Sequence, residues 1–283
     1  MRAPEPLDLR HLGRERVIGC YLLETDGGPA LHDCGPSSCV PELKARLAER
    51  GLELRDVGHL LLSHIHLDHA GAAGVLVREH PELQVHVSAV GAPHLVDPSR
   101  LESSARRLYG DTFDLLWGEL APIPEANLHI VGRRVLGLDC FPSPGHASHH
   151  VCYLDADGTL LAGDAAGVRI QPSGHVLPVS PPPDIDVEAW RRTLDEIERR
   201  APARLALIHF GLFEDVEYHL GQMRQELDTW VDRIRSGATE DEFVDAARRD
   251  LLDTSGWDAP YFERAAPFWQ SYAGLKRWWE KQG

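Results

Sequence analysis

The chain has 283 residues, 43% hydrophobic and 26% charged, with a formal net charge of −15 when histidines are neutral. That length accommodates one domain of about 200 to 250 residues with an appendage, or two smaller ones, and the composition excludes a disordered or fibrous chain. The acidic balance and short basic runs such as Arg106-Arg107 and Arg133-Arg134 leave no broad positive face, so nucleic acid is not an expected partner.

In chain order, Val17 to Leu23 and Pro29 to His32 read as two strands around the turn Asp26-Gly27-Gly28, which puts Asp33 on the loop that follows. Pro41 to Arg50 has a helical pattern opened by Ser37 or Ser38. Val57 to Leu62 reads as a buried strand, Ala70 to Glu79 as a helix and Leu83 to Val87 as a short strand. The mixed segment from Pro93 to Leu120 is expected to form helix and loop and to act as a lid. Val131 to Phe141, His149 to Leu154 and Thr159 to Leu161 read as further strands, the last two joined by the hairpin signal Asp155-Ala156-Asp157-Gly158. After Pro181-Pro182-Pro183, Asp184 or Asp186 caps a helix from Val187 to Arg200, and Arg204 to Ile208 is the last expected strand. The pattern beyond it is helical over Glu217 to Ser236, Glu240 to Leu252 and Phe262 to Lys281. Its aromatics, among them Trp230, Trp257, Tyr261, Phe262, Phe268 and Trp269, are expected to pack on the core, with a homodimer surface or a wall over the substrate entrance as the sharper alternatives.

Cys20, Cys34, Cys39, Cys140 and Cys152 are odd in number and form no Cys-x-x-Cys pair, which argues against a disulfide framework or a thiolate zinc knuckle. Reduced cysteines and a cytoplasmic location are expected, and Cys34 is read as packed and inert. Met1 to Arg16 lacks an apolar targeting core, and no window approaches the roughly 18 apolar residues of a membrane span. No membrane association is expected.

The chemistry concentrates in Ser63-His64-Ile65-His66-Leu67-Asp68-His69, directly after the apolar Leu60-Leu61-Leu62. In an extended segment His64 and His66 project to the same side and reach one cation, while Asp68 and His69 follow as the chain turns and can serve a second. The missing ligands belong at other strand ends, where His146, Asp164 and His209 stand in the Gly-containing settings Pro144-Gly145-His146, Gly163-Asp164 and His209-Phe210-Gly211. Imidazoles and carboxylates suit zinc, with iron or manganese as competitors. His149 and His150 either line this site or mark a strand entry. The other histidines, including His11, His59, His86 and His94, are expected to be structural or superficial.

These signatures, Asp33 in Leu31-His32-Asp33-Cys34-Gly35, the His64 to His69 cluster, Gly145-His146, Gly163-Asp164 and His209, appear in the order found in the metallo-β-lactamase-fold hydrolase superfamily, which the chain resembles from about Val17 to Gly211. The resemblance implies an α+β fold, an αββα sandwich over 1–212, with a helical C-terminal extension over 213–283. It implies two divalent ions: one on His64, His66 and His146, the other on Asp68, His69 and His209, with Asp164 bridging. Asp33 would hold a ligand histidine rather than touch metal.

A water between two such ions becomes a hydroxide near neutral pH, and Asp68 and Asp164 would orient it or relay its proton. Hydrolysis of a small carboxylic ester, lactone or thioester is the expected reaction. The alternatives are a phosphodiesterase on the same site, a mononuclear iron oxygenase resembling the persulfide dioxygenases, and a ligand-sensing protein whose metals are structural. Ser143 to Tyr153 resembles the glyoxalase II and lactonase branch. Ala165-Ala166-Gly167 after Asp164 departs from the glyoxalase II pattern of Cys-Gly-Arg, which speaks against glutathione thioesters.

Overall fold

The computed structural model of the chain describes residues 4–255 and 262–283. Trp257 and Tyr261, expected to pack among the C-terminal helices, lie outside the described residues.

Two six-stranded sheets lie at the centre of an α+β fold, the expected αββα sandwich. The first sheet orders β1 (Pro6–Asp8), β2 (Gly19–Thr25), β3 (Gly28–His32), β4 (His59–Leu61), β5 (Gln84–Val87) and β6 (Leu128–Ile130). Its β1 to β3 are antiparallel and its β3 to β6 parallel. The second sheet takes β7 (Arg134–Val135), β8 (Leu138–Pro142), β9 (Val151–Leu154), β10 (Thr159–Leu161), β11 (Arg204–Leu207) and β12 (Gly211–Phe213), antiparallel except where β10 meets β11. Strands covered on both faces read as continuous apolar runs, and Leu205, Ala206 and Leu207 of β11 are all fully buried.

Helices α1 (Val40–Ala48), α2 (Leu67–Ala70), α3 (Ala73–Glu79), α4 (Ala92–Val96), α5 (Ser99–Tyr109), α6 (Phe113–Trp117) and α7 (Val187–Arg200) punctuate the sheets. Helices α8 (Val216–Arg235), α9 (Glu240–Ser255) and α10 (Phe268–Glu280) form the C-terminal part. Trp230, Phe243, Phe262 and Phe268 are fully buried in the same apolar core as the strands, so these helices extend the sandwich core instead of forming a separate one.

Two buried tyrosines lash the sheets together where the later site forms. The Tyr21 hydroxyl of β2 lies 2.8 Å from the Leu207 carbonyl at the end of β11, and Tyr153 of β9 donates to the Leu62 carbonyl just past β4 at 2.7 Å. A buried hydrogen bond of this kind contributes about 1 kcal/mol net, and its loss would strand a carbonyl.

The structure corrects several sequence expectations. Val131 to Phe141 is not one strand. The chain leaves the first sheet after β6 and forms a β7–β8 hairpin in the second, turning at Leu136 and Gly137, which both have positive φ. Ala70 to Glu79 is broken into α2 and α3. Ser37 and Ser38 cap nothing: α1 follows a 3-10 turn over Ser37–Cys39, and both hydroxyls instead reach carbonyls of the 116–119 segment. Asp186 caps α7 by accepting from the Ala189 amide, whereas Asp184 accepts from the Ser148 amide. Strands β1, β6 and β12 were not anticipated, being only three residues each.

Candidate metal centre

Each side chain of the site leaves the end of a strand. Asp33 follows β3, His64 to His69 follow β4, Asp164 follows β10 and His209 follows β11, so strand register sets their spacing. His146 comes from the β8–β9 connection. Its neighbour Gly145 has φ +140° and lies under α7, where a Cβ would stand 2.3 Å from the Trp190 Cα. Only glycine permits that approach. Trp190 in turn donates its indole N–H to the Ala165 carbonyl at 2.7 Å, fixing the turn that carries Asp164.

The histidines are oriented from behind, which also sets their tautomers. His146 Nδ1 donates to the Val179 carbonyl at 2.6 Å, His209 Nδ1 donates to the Val17 carbonyl at 2.5 Å, and His69 Nδ1 donates to Asp33 Oδ2 at 2.7 Å. The Ser63 hydroxyl donates to Asp33 Oδ2 at 2.7 Å and so accepts from His64 Nδ1 at 3.0 Å. Asp33 Oδ1 takes the Ser63 amide as well, at 2.7 Å. One buried carboxylate therefore aligns two imidazoles, and the Nε2 atoms of His64, His69, His146 and His209 all present lone pairs to the centre.

These lone pairs meet one another. His66 Nδ1 is 2.9 Å from both His64 Nε2 and His146 Nε2, which are themselves 3.2 Å apart. On the other side His209 Nε2 is 3.4 Å from Asp68 Oδ2, and His69 Nε2 is 3.3 Å from Asp164 Oδ1. Asp164 faces both groups, since its Oδ2 lies 3.4 Å from His146 Nε2. His69 Nε2, His209 Nε2 and Asp164 Oδ1 are buried with no hydrogen-bond partner. Buried acceptors converging without donors are repulsive unless a cation joins them, and nitrogen and carboxylate donors in groups of three fit divalent ions.

Electrostatics agree. Burial, with His146 beside it, pushes His66 down to about 3, and burial also lowers His64 and His146. Burial alone would raise Asp68 and Asp164, yet the adjoining imidazoles, His69 first, hold both carboxyls below the ordinary range. His64, His66 and His146 are thus held neutral and Asp68 and Asp164 anionic, the forms that ligate metal, while, against their burial, Asp164 and Asp68 in turn raise His69 and His209, which would give up a proton on taking a cation.

The remaining expectations divide. His150 supports the site from behind: its Nε2 accepts from the Asp164 amide at 3.1 Å and Nδ1 faces the Ser143 hydroxyl at 2.7 Å. His149 lines the cavity above. Cys34 is fully buried, burial raises its thiol, and its sulfur lies 3.3 Å from the His69 carbonyl, a packed and inert cysteine as expected.

The centre forms the base of a cavity of about 880 Å³. Helices α5 and α6 roof it with Leu101, Leu108, Tyr109 and Trp117, and Gln270 of α10 closes one side by donating to the Tyr109 hydroxyl at 3.1 Å. The C-terminal helices therefore pack on the core and also wall the entrance. Sequence reading missed His11. It is buried, stacks on Trp117 at 5.7 Å, donates from Nε2 to the Leu116 carbonyl at 2.9 Å and lines the cavity.

A family model described as the metallo-beta-lactamase superfamily matches residues 13–209. The chain belongs to the metallo-beta-lactamase superfamily. Among curated relatives, the metallo-beta-lactamase fold-containing protein ST1585 of Sulfurisphaera tokodaii is 27% identical over 192 residues, 63% of this chain and 72% of its own. YobT of Bacillus subtilis is 26% identical over 201 residues, 68% of this chain and 82% of that one. The crystal structure of ST1585 superposes with a TM-score of 0.68 over 92% of this chain and 93% of that one at 20% identity, a likeness of fold. TTHA1623, solved in a di-iron-bound form, superposes at 0.54 with 27% identity over 72% of this chain and 91% of that one. These matches reach the superfamily and its fold, not the glyoxalase II or lactonase branch. As a superfamily member the chain has histidine and aspartate groups able to hold metal. No helix among the described residues is long and apolar enough to cross a membrane.

Proposed function

We propose that the chain is a metal-dependent hydrolase of a carboxylic ester, lactone or thioester. One divalent ion would be held by His64, His66 and His146 and the other by Asp68, His69 and His209, with Asp164 between them. The observation that carries this reading is the convergence of partnerless acceptors at the base of a deep, largely apolar cavity. Zinc suits the nitrogen-rich donor set, and the di-iron form of TTHA1623 makes iron the first competitor, with manganese after it.

Two bound divalent ions supply a nucleophile from water at neutral pH and polarise the carbonyl it attacks. The chain's own residues then do the rest. Water adds to the acyl carbon, the acyl–oxygen or acyl–sulfur bond breaks, and the proton given up by the water reaches the departing alkoxide or thiolate. Asp68, partly open to the cavity while anchored by His209, is the side chain placed to carry that proton. Asp164, almost fully buried, orients the attacking oxygen between the two ligand groups. Trp117 and the leucines of α5 exclude competing water from the acyl group.

The test is a panel on metal-loaded protein: p-nitrophenyl acetate, a γ-lactone and an acyl thioester beside bis-p-nitrophenyl phosphate. Hydrolysis of the acyl substrates that vanishes on chelation supports the reading. Turnover of the phosphodiester alone would replace it.

A further inference from the structure

We propose that the substrate is an amphiphile with an anionic head, an acyl compound whose hydrocarbon lies under the α5–α6 roof while Arg14, Arg100 and Arg107 meet its head at the mouth. This rests on the hydrolase reading and names the substrate class of the same site.

The first support is shape and polarity. A cavity of about 880 Å³ stands near the upper end of ordinary small-molecule sites and exceeds what a small ester fills. Its roof is built from Leu101, Ala105, Leu108, Leu116 and Trp117, its floor from Ile65. Each methylene buried there tightens binding by about fourfold. Leu12, Val90 and Leu108 line the same cavity yet are 49%, 53% and 38% exposed, so apolar wall continues out to the rim.

The second support is a census of charge around the cavity. Asp68 and Asp164 face the histidines at the base. Asp184 accepts from the Ser148 amide and keeps its charge beside His149, Glu263 is held by two nitrogens of Arg248, and Arg264 has a partner of its own. Among the described residues Arg14, Arg100 and Arg107 have no carboxylate in ion-pair range, and Arg107 donates to the Ser103 hydroxyl at 3.0 Å. Arg100 and Arg107 stand two turns apart on α5 and both reach the cavity. Arg106, next along the same helix but outside the cavity lining, is clamped by Glu102 and Asp114. In a chain of net charge −15, carboxylates were available to clamp the other two as they clamp Arg106, yet among the described residues none reaches ion-pair distance, Asp97 acting on Arg100 only from farther off. Cations left unpaired beside an apolar channel, pre-ordered on a helix, match an anionic group joined to hydrocarbon. The cavity these arginines line also reaches His66, Asp68, His146 and His209 at its base, which favours a single amphiphile over an anionic membrane surface.

The test is calorimetric binding to the metal-loaded full chain at low salt. The probes are decyl sulfate, whose head is a poor metal ligand, and the neutral decyl glucoside, both below their micellar concentrations. Decyl sulfate is expected to bind at least about tenfold more tightly, and the combined variant Arg14→Ser, Arg100→Ser, Arg107→Ser to bring the two within about twofold. Arg55→Ser, at an exposed arginine outside the cavity lining, should keep the wild-type ratio. Equal affinities in the wild type, or a ratio that survives the triple variant, overturns the proposal. So does sedimentation with anionic vesicles without binding of monomeric decyl sulfate, which would make the rim a membrane surface. Binding as expected with no acyl substrate hydrolysed would overturn the hydrolase reading and leave the amphiphile site standing.

Discussion

The base and the roof of the cavity are built in different ways. At the base, Asp33, His64, His69, His146, Asp164 and His209 leave strand ends or tight turns, are almost completely buried, and are aligned by hydrogen bonds to backbone or to Asp33. The roof over it is the two helices α5 and α6, whose apolar residues Ala105, Phe113 and Trp117 form, with Leu67, a small cluster apart from the main core. It is tied down by His11 and Ser38 on the Leu116 carbonyl and Ser37 on the Glu119 carbonyl, with Arg78 on the Glu119 carboxylate and Gln270 on the Tyr109 hydroxyl. Rigid placement is thus concentrated where groups able to hold metal converge, while the part that lines the cavity above rests on a small separate apolar cluster and can vary at smaller cost.

That contrast can be broken by substitution. His66→Ala removes a ligand from the base and should lower hydrolysis by about 10³-fold or more, with metal content falling by one equivalent in elemental analysis. An active variant with full metal content would erase the distinction. Trp117→Ala empties the roof cluster and should cost about 3 kcal/mol in urea unfolding, raising KM while leaving metal content intact. Loss of metal from that variant would show base and roof to be one unit. Asp33→Asn, a substitution that the positive φ of 55° tolerates, keeps the shape of the support and removes its charge. Metal affinity should fall by about 10- to 100-fold in competition with a chelator, with the fold retained.

The C-terminal helices supply a control remote from both. Glu226 of α8 is buried, and burial pushes its carboxyl from 4.5 up to about 7. The folded state therefore holds the proton more tightly, so stability is fullest below about pH 4.5 and is lost as pH rises through about 7. Glu226→Gln should flatten that slope and raise stability at pH 8 by up to about 2 kcal/mol, with activity unchanged. An unchanged slope would contradict the burial argument.

The base was legible in the sequence because it depends on local chemistry. A His-x-His-x-Asp-His run after an apolar strand, and lone ligands beside glycines at other strand ends, mark strand register directly. The roof and the edges were not, because tertiary partners decide them. His11 sits in a segment with no periodicity, between residues of positive φ at Arg10 and Leu12, and acquires its role from Leu116 and Trp117 a hundred residues away. Ser37 and Ser38 had the chemistry of helix caps, but carbonyls of the roof compete for their hydroxyls. Val131 to Phe141 alternates like one strand, and only the Leu136-Gly137 turn and the crossing between sheets reveal two.

The central claim is that the base holds two divalent ions that the reaction requires. Elemental analysis of the purified chain, followed by chelation and stepwise metal return while acyl hydrolysis is followed, tests it most directly. The account predicts about two equivalents per chain, activity lost on chelation and restored as both are replaced. A single equivalent with full activity, or hydrolysis that persists after complete chelation, would contradict it.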